Sequence, residues 1–305
     1  MRVCLLGTAA GGAFPQWNCN CSNCRVARTD PSRARPRTQS CVALSGDGEK
    51  WFLVNASPDV RAQIEAFKPL WPPAASRRGS GIAGVFLTNA DLDHTLGLLC
   101  LREGARLVVH STAEVRNALM HGLNVHTIVN SYCGIEWREP AFALAAVRDP
   151  DGALTGLQYA AFAVPGKPPR YRGGIAPSSG DAVGYRFHDE ATGGRLVVVP
   201  DLAATDAAVL HEMSNADLLL LDGTFFDEDE MQRSGAGQAT AFDMGHLPVG
   251  GPEGSLVKIA KFGDVTRIYV HLNNTNPMLL EDSPQRAEVE ANGVTIGYDG
   301  MEFTV

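Results

Sequence analysis

The sequence predicts an α/β fold, an αββα four-layer sandwich, from three observations. Apolar runs of strand length alternate with amphipathic helical segments along the chain, several of those runs end directly in polar residues, and no compositional break divides the 305 residues. The alternation asks for sheet and helix in one body, and the even composition makes residues 1 to 305 a single domain. That length exceeds the usual size of one domain, but two sheets with a helical layer on each outer face would use every element.

In chain order, Val3 to Leu6 reads as a short apolar strand that runs into Gly7-Thr8-Ala9-Ala10-Gly11-Gly12, where small residues let the backbone turn closely past a neighbour. No Lys-Ser/Thr closes this turn and no G-x-G-x-x-G spacing follows, so it is not a phosphate loop. Further strands are expected at Ser40 to Ala43, Trp51 to Asn55, Gly84 to Thr88, Arg106 to His110, Ala141 to Val147 and Tyr159 to Val164. The series continues with Val183 to Phe187, Leu196 to Val199, Leu218 to Leu221, Arg267 to His271 and Val294 to Tyr298. Helical patterns fall between them at Pro58 to Ala66, Asp93 to Glu103, Ser111 to Leu119, Thr205 to Met213, Gly254 to Phe262 and Ser283 to Ala291. Pro- and Gly-rich passages at Pro69 to Gly84 and Val164 to Gly180 read as surface loops.

A chain that is 45% hydrophobic and 20% charged is neither disordered, collagen-like nor a coiled coil. No apolar run approaches the roughly 20 residues that span a bilayer, and no secretion signal opens the sequence, so a cytoplasmic protein without a membrane partner is expected. With 26 Lys and Arg against 34 Asp and Glu, the net charge of -8 argues against nucleic acid as a partner. The basic stretch from Arg25 to Arg37 is short and interrupted by Asp30, Pro31 and Pro36, which makes it a solvated loop.

Seven cysteines is an odd count, and three of them, Cys19, Cys21 and Cys24, stand within six residues. Thiolates at this spacing fit three corners of a tetrahedral zinc ion, and a closed structural Zn(II) site is expected, completed by a fourth ligand from elsewhere. Cys4, Cys41, Cys100 and Cys133 stand singly and read as core residues.

A second cluster, Asn89, Asp91, Asp93 and His94, follows the apolar run Val85 to Leu87. A helix cap would account for one or two of these residues, not for four. Single polar residues also end later runs: Asp201, Asp222 and His271, the last followed by Asn273, Asn274, Asn276 and Pro277. His246 is a weaker candidate, and His110, His121, His126, His188 and His211 lack polar companions in the sequence.

Taken together, the segments Gly7 to Gly12, Phe14 to Cys21, Asn55 to Asp59, Asp93 to Thr95, Asp222 to Thr224, Met244 to Leu247 and His271 to Pro277 resemble the pyrroloquinoline quinone (PQQ) biosynthesis protein B family from end to end. The resemblance implies the metallo-β-lactamase fold, with a metal site at the strand ends between two sheets. The superfamily signature H-x-H-x-D-H aligns with Asn89, Asp91, Asp93 and His94, its later Asp with Asp201 or Asp222, and its last His with His271. The intermediate His, expected near Val164 to Lys167, has no counterpart.

What remains is a smaller mixed site in which Asp93, His94 and His271 form the two-histidine, one-carboxylate set of non-haem Fe(II) centres, with Asp91 or Asp201 as an additional oxygen ligand and Asp222 behind a ligand. The implied activity is iron- and oxygen-dependent hydroxylation of the tyrosine ring in a cross-linked Glu-Tyr unit, a small-molecule or dipeptide substrate derived from a precursor peptide. Arg61, Lys167 or Arg170 would hold its carboxylates. The alternatives are a transport role, in which a carrier binds finished PQQ and delivers it for export, and a metal-dependent hydrolase. Asn274 or His271 is expected as the fourth zinc ligand, and the chain is expected to form a homo-oligomer.

Overall fold

The protein is described over Met1–Val305 by a computed structural model. Its architecture is easiest to follow from the leucine run that ends at Asp222. Leu218 and Leu220 enter the core between two sheets, while Leu219 and Leu221 enter the core beneath a helical layer, so period-two alternation buries all four. Both faces of this sheet are covered, which is why its strands read as continuous apolar runs.

In the first sheet lie β1 (Arg2–Gly7), β2 (Cys41–Ser45), β3 (Trp51–Val54), β4 (Ile82–Phe86), β5 (Leu107–His110) and β6 (Ile135–Arg138). The second holds β7 (Ala145–Arg148), β8 (Leu154–Ala163), β9 (Val183–Asp189), β10 (Arg195–Val199), β11 (Leu218–Asp222), β12 (Thr266–Val270) and β13 (Val294–Ile296). The chain then returns to the first sheet as β14 (Glu302–Thr304), and the orders are β14-β1-β2-β3-β4-β5-β6 and β13-β12-β11-β10-β9-β8-β7. Strands β3 to β6 run parallel, as do β10 to β13.

Between the sheets Val3, Leu5, Phe52, Phe86, Tyr185 and Phe187 form a common core. Leu53 and Val85 pack outward under Val60, Leu98 and Leu119, and Leu219 and Tyr269 pack under Met213, Leu256 and Val289. The expected four layers are therefore present. No helix is long and apolar enough to cross a membrane.

Several elements depart from expectation. The stretch from Arg25, expected as a solvated loop, begins inside a helix, Ser22–Thr29, whose first turn also carries Cys24. Strand β8 begins five residues earlier than its apolar run, at Leu154. The segment expected as one helix from Asp93 to Glu103 is broken into Leu92–Thr95, Gly97–Cys100 and a 3-10 turn, Leu101–Glu103. Gly97 presses onto the preceding backbone, where a Cβ would stand 2.3 Å from the Ser57 carbonyl oxygen.

The parallel register sets up the site. Asp222 of β11 pairs with Val270 of β12, so Asp222 and His271 leave adjacent strands at one end, and Asp201 follows two residues after β10. From the other sheet, Leu87 to His94 follow β4. That segment is tied across the sandwich by Val183 N–H donating to Thr88 O at 2.8 Å and by the Tyr185 hydroxyl donating to Leu87 O at 3.0 Å. Carboxyl ends of parallel strands meet there, the usual place for a ligand in α/β sheets.

Candidate metal centres

Four aspartates and three histidines gather at these strand ends. His271 Nε2 lies 3.1 Å from Asp93 Oδ2 and 3.7 Å from Asp201 Oδ1, and His94 Nε2 lies 3.8 Å from Asp93 Oδ2. Two overlapping triads have their donor atoms within 4.8 Å of one another: Asp93, His94 and His271, and Asp201, His246 and His271. They open on a cavity of about 480 Å³ whose wall includes Asp91, Lys167, Arg170 and Asn273. Gly11 faces the same place, where a Cβ would come within 3.4 Å of the Asp93 carboxylate.

The remaining polar atoms aim these donors. His271 Nδ1 is 2.7 Å from the Thr224 hydroxyl, which lies 2.6 Å from Asp222 Oδ1, so the imidazole donates to Thr224 while Thr224 donates to the carboxylate. Asp222 Oδ2 accepts from His246 Nδ1 at 2.8 Å and from Leu202 N–H at 2.8 Å, and Oδ1 accepts from Thr224 N–H at 2.9 Å. Asp222 is thereby occupied as an orienting group, with protons held on the Nδ1 atoms of both rings and their Nε2 lone pairs turned outward.

His94 Nδ1 is 3.2 Å from the Thr88 hydroxyl and 3.1 Å from Asn55 Nδ2, while its buried Nε2 has no hydrogen-bond partner. An orphaned imidazole nitrogen beside a carboxylate fits a cation. Asp91 caps the helix Leu92–Thr95 by position but makes no side-chain capping bond. Helix capping therefore does not account for the acidic cluster. Asn89 Nδ2 instead donates to Asp201 Oδ2 at 3.0 Å, and Asn89 Oδ1 accepts from Asp91 N–H.

Electrostatics agree with this fit. Burial and the neighbouring Asp93 and Asp201 push Asp91 up to about 6. Burial also opposes ionisation of Asp93, but His94 and His271 hold it well below the usual carboxylate range. For His271 burial pulls downward, yet Asp201, Asp93 and Asp222 raise it to about 10. Without a cation these carboxylates draw a second proton onto His271, and a divalent ion would take that proton's place.

Backbone strain falls on two of these positions. His271 and Asn55 adopt left-handed φ angles of 58° and 64°, a conformation that costs non-glycine residues about 1–3 kcal/mol and concentrates at functional sites.

The cysteine cluster is separate. Cys19, Cys21 and Cys24 carry free thiols whose sulfurs lie within 4.8 Å of one another. This convergence of three unpaired sulfurs suits a tetrahedral zinc ion. Asn274 Nδ2 faces all three, at 3.1 Å from Cys19, 3.6 Å from Cys21 and 3.4 Å from Cys24. His271 does not take part, because both its nitrogens are engaged at the other centre. Expecting it as a fourth zinc ligand is therefore corrected. The His271 to Asn276 loop serves both centres in turn: His271 and Asn273 face the aspartate cavity, Asn274 faces the sulfurs, the Thr275 hydroxyl meets Glu230, and Asn276 Nδ2 donates to the Gly223 and Thr224 carbonyls.

Asp91, Asp93, His94, Asp201, Asp222 and His271 thus come together as the sequence suggests. Arg61 is corrected too: it is exposed on the helix Val60–Ala66 and is not in the cavity wall, unlike Lys167 and Arg170. His246, only a weaker candidate in the sequence, fills out a donor set expected to lack a third histidine. Its signal was Gly245, whose φ of 90° ends the helix Ala241–Met244 and swings His246 toward Asp222. Asn55 and Thr224 support histidines 39 and 47 residues away, which local spacing does not reveal, whereas Thr88 stands only 6 residues before the His94 that it supports.

A family model described as "Beta-lactamase superfamily domain" matches residues 50–272. The chain is 44% identical to coenzyme PQQ synthesis protein B of Pseudomonas entomophila over 308 aligned residues, covering 99% of each chain, and 42% identical to that of Pseudomonas fluorescens over 310, covering all of both. Its structure superposes on zinc-bound PqqB from Methylobacterium extorquens with a TM-score of 0.90 at 38% identity, covering 100% of both chains. A diphosphatase of the PhnP family shares the fold at 17% identity, with a TM-score of 0.66 and coverage of 100% and 97%.

Proposed function

The chain belongs to the family of the coenzyme PQQ synthesis B proteins, within the beta-lactamase superfamily, and on that basis we propose that it acts in PQQ synthesis as an iron- and oxygen-dependent hydroxylase. Its substrate is the tyrosine ring of a cross-linked Glu-Tyr intermediate derived from the precursor peptide. The observation that carries this proposal is the convergence of Asp93, His94 and His271, two imidazoles and one carboxylate on one cavity. Asp201 and His246 stand beside them as further donors. Fe(II) bound there supplies the redox chemistry by which dioxygen reacts with a phenol ring.

The protein's own groups do the rest. Asp222 and Thr224 fix the tautomers of His246 and His271, Thr88 and Asn55 hold His94, and Asn89 restrains Asp201. A cavity of about 480 Å³ lies within the range that suits a dipeptide-sized ligand. Lys167 and Arg170 offer cations to its carboxylates, with Lys167 Nζ steadied by the Asp243 carbonyl. Zinc at Cys19, Cys21 and Cys24 ties the helix Ser22–Thr29 to the Asn274 loop, and the zinc carried by the Methylobacterium protein supports metal binding by this family. Hydrolysis of the two-zinc type is disfavoured, since Asn89 and Asp91 stand where that chemistry needs histidines.

Hydroxylation places one oxygen atom of dioxygen on the ring and releases the other as water, with two electrons from an external reductant. The test reconstitutes the metal-free protein anaerobically with Fe(II), adds a cross-linked Glu-Tyr compound and ascorbate, and admits air. A mass gain of one oxygen that requires iron supports the hydroxylase. Tight binding of finished PQQ with no such gain would mean a carrier instead.

A further inference from the structure

Between β8 and β9 the chain runs out along the aspartate and histidine cavity and supplies Lys167, Pro168 and Arg170 to its wall. Both feet of this loop are fixed, since Ala203 N–H donates to Pro165 O at 3.1 Å and the Thr112 hydroxyl donates to Gly180 O at 2.7 Å. Between the feet, the short 3-10 turn Arg170–Arg172 is tied down at two points. The half-buried Tyr171 hydroxyl donates to Ala90 O at 2.8 Å, and Arg172 donates to Asn117 O at 3.1 Å. Gly122 makes room for this arrangement, because a Cβ there would stand 2.6 Å from the Tyr171 ring.

The two cations on the cavity wall have no carboxylate within ion-pair distance. Burial lowers the Lys167 ammonium, Asp91 raises it and Arg170 lowers it, so the two cations are close enough to feel one another. Neighbouring like charges without an anion between them suit a carboxylate from outside. Their supports differ. Lys167 Nζ donates to the Asp243 carbonyl, whereas the Arg170 guanidinium makes no hydrogen bond within the protein and is held only through its neighbour Tyr171. The carbonyl that Tyr171 grips belongs to the residue between Asn89, which restrains Asp201, and Asp91 of the cavity wall.

We propose that Tyr171 is a positioning residue: its hydroxyl latches the loop to Ala90 and so holds Arg170 beside Lys167, where the pair receives a carboxylate of the substrate. The assignment rests on the carboxylate-bearing substrate put forward under the proposed function. Tyr171 itself does not touch that substrate. Burial and the nearby Asp91 raise its phenol, which keeps it a hydrogen-bond donor wherever the carboxylates of the substrate are ionised.

Equilibrium binding of the cross-linked Glu-Tyr compound to the Fe(II)-loaded protein, with oxygen excluded, reads the latch apart from turnover. Tyr171→Phe should weaken binding about threefold, as expected for partly exposed charges. An analogue in which carboxamides replace the carboxylates should bind wild type and Tyr171→Phe alike. Arg170→Met should weaken the carboxylate compound by a similar factor, and adding Tyr171→Phe to Arg170→Met should cost nothing more, because the two act through one contact. Additive losses, an equal loss with the carboxamide analogue, or unchanged affinity in Tyr171→Phe would overturn the latch. Failure of the compound to bind the wild-type protein would overturn it together with the substrate reading. A protein that binds in the expected pattern yet does not hydroxylate would uphold the latch and remove only the hydroxylase.

Discussion

The Thr224 hydroxyl stands 2.7 Å from Nδ1 of His271 and accepts its proton while donating to Asp222. This fixes which nitrogen of His271 is free for a cation. Thr224→Val should therefore lower affinity for the active-site metal by about 10- to 100-fold, and Thr224→Ser should restore most of it. Competition against a chromophoric chelator measures both. Equal affinities in Thr224→Val and wild type would remove the relay from the account.

Asp222 receives two backbone N–H groups as well as His246. Asp222→Asn turns an amide donor toward at least one of these donors, and should lower stability by about 1–3 kcal/mol in denaturant titration. Metal should be retained at weakened affinity. Complete loss of active-site metal from a folded Asp222→Asn protein would make Asp222 a direct ligand.

His94→Ala and His271→Ala should each abolish iron-dependent turnover while the cysteine centre keeps its zinc. The two donor sets share no residue. Elemental analysis with thiolate-specific absorption separates the two metals. Loss of both from His271→Ala would show that this histidine serves the sulfurs, and full turnover in either variant would sink the iron-site assignment.

In the metal-free protein, carboxylates raise His271 from an ordinary value of 6.5 to about 10. The protonated ring stabilises the folded state fully below about pH 6.5, and this contribution is lost as pH rises through about 10. Thermal midpoints of the metal-free chain should fall across that interval, and fall less in His271→Gln. Metal competes with the proton for Nε2, so metal affinity should rise over the same range. A midpoint that climbs steadily with pH, unchanged by His271→Gln, would contradict the charge arrangement.

Lys167→Met and Arg170→Met should raise KM for the carboxylate-rich substrate several-fold, leave metal content unchanged, and weaken the dependence of KM on salt. A pure kcat effect would place these side chains in another role.

Much of the fold was legible because most strands are uninterrupted apolar runs. Ile135 to Arg138 escaped because Glu136 and Arg138 suit an edge position, where Glu136 pairs with Arg106 at 2.8 Å and Arg138 at 2.7 Å. Glu302 to Thr304 is too short and polar to announce pairing with a strand some 300 residues earlier. The Asp93 and His94 pair was readable from local spacing, as were the cysteines. His246 was legible only as a weaker candidate, because its value comes from Asp222, 24 residues away in sequence and 2.8 Å away in space. Arg61 shows the converse: charge alone says nothing about which surface a side chain faces.

The alternation within His271 to Asn276 makes that loop a ruler. One inserted residue between His271 and Asn274 would shift the phase, handing the sulfurs a backbone step meant for the cavity and drawing Asn276 off the carbonyls that anchor it. Substitution at Asn274 leaves the phase intact, whereas lengthening there disturbs two centres at once. Engineering of this protein is therefore free to change what the loop presents, but not how many steps it takes to present it.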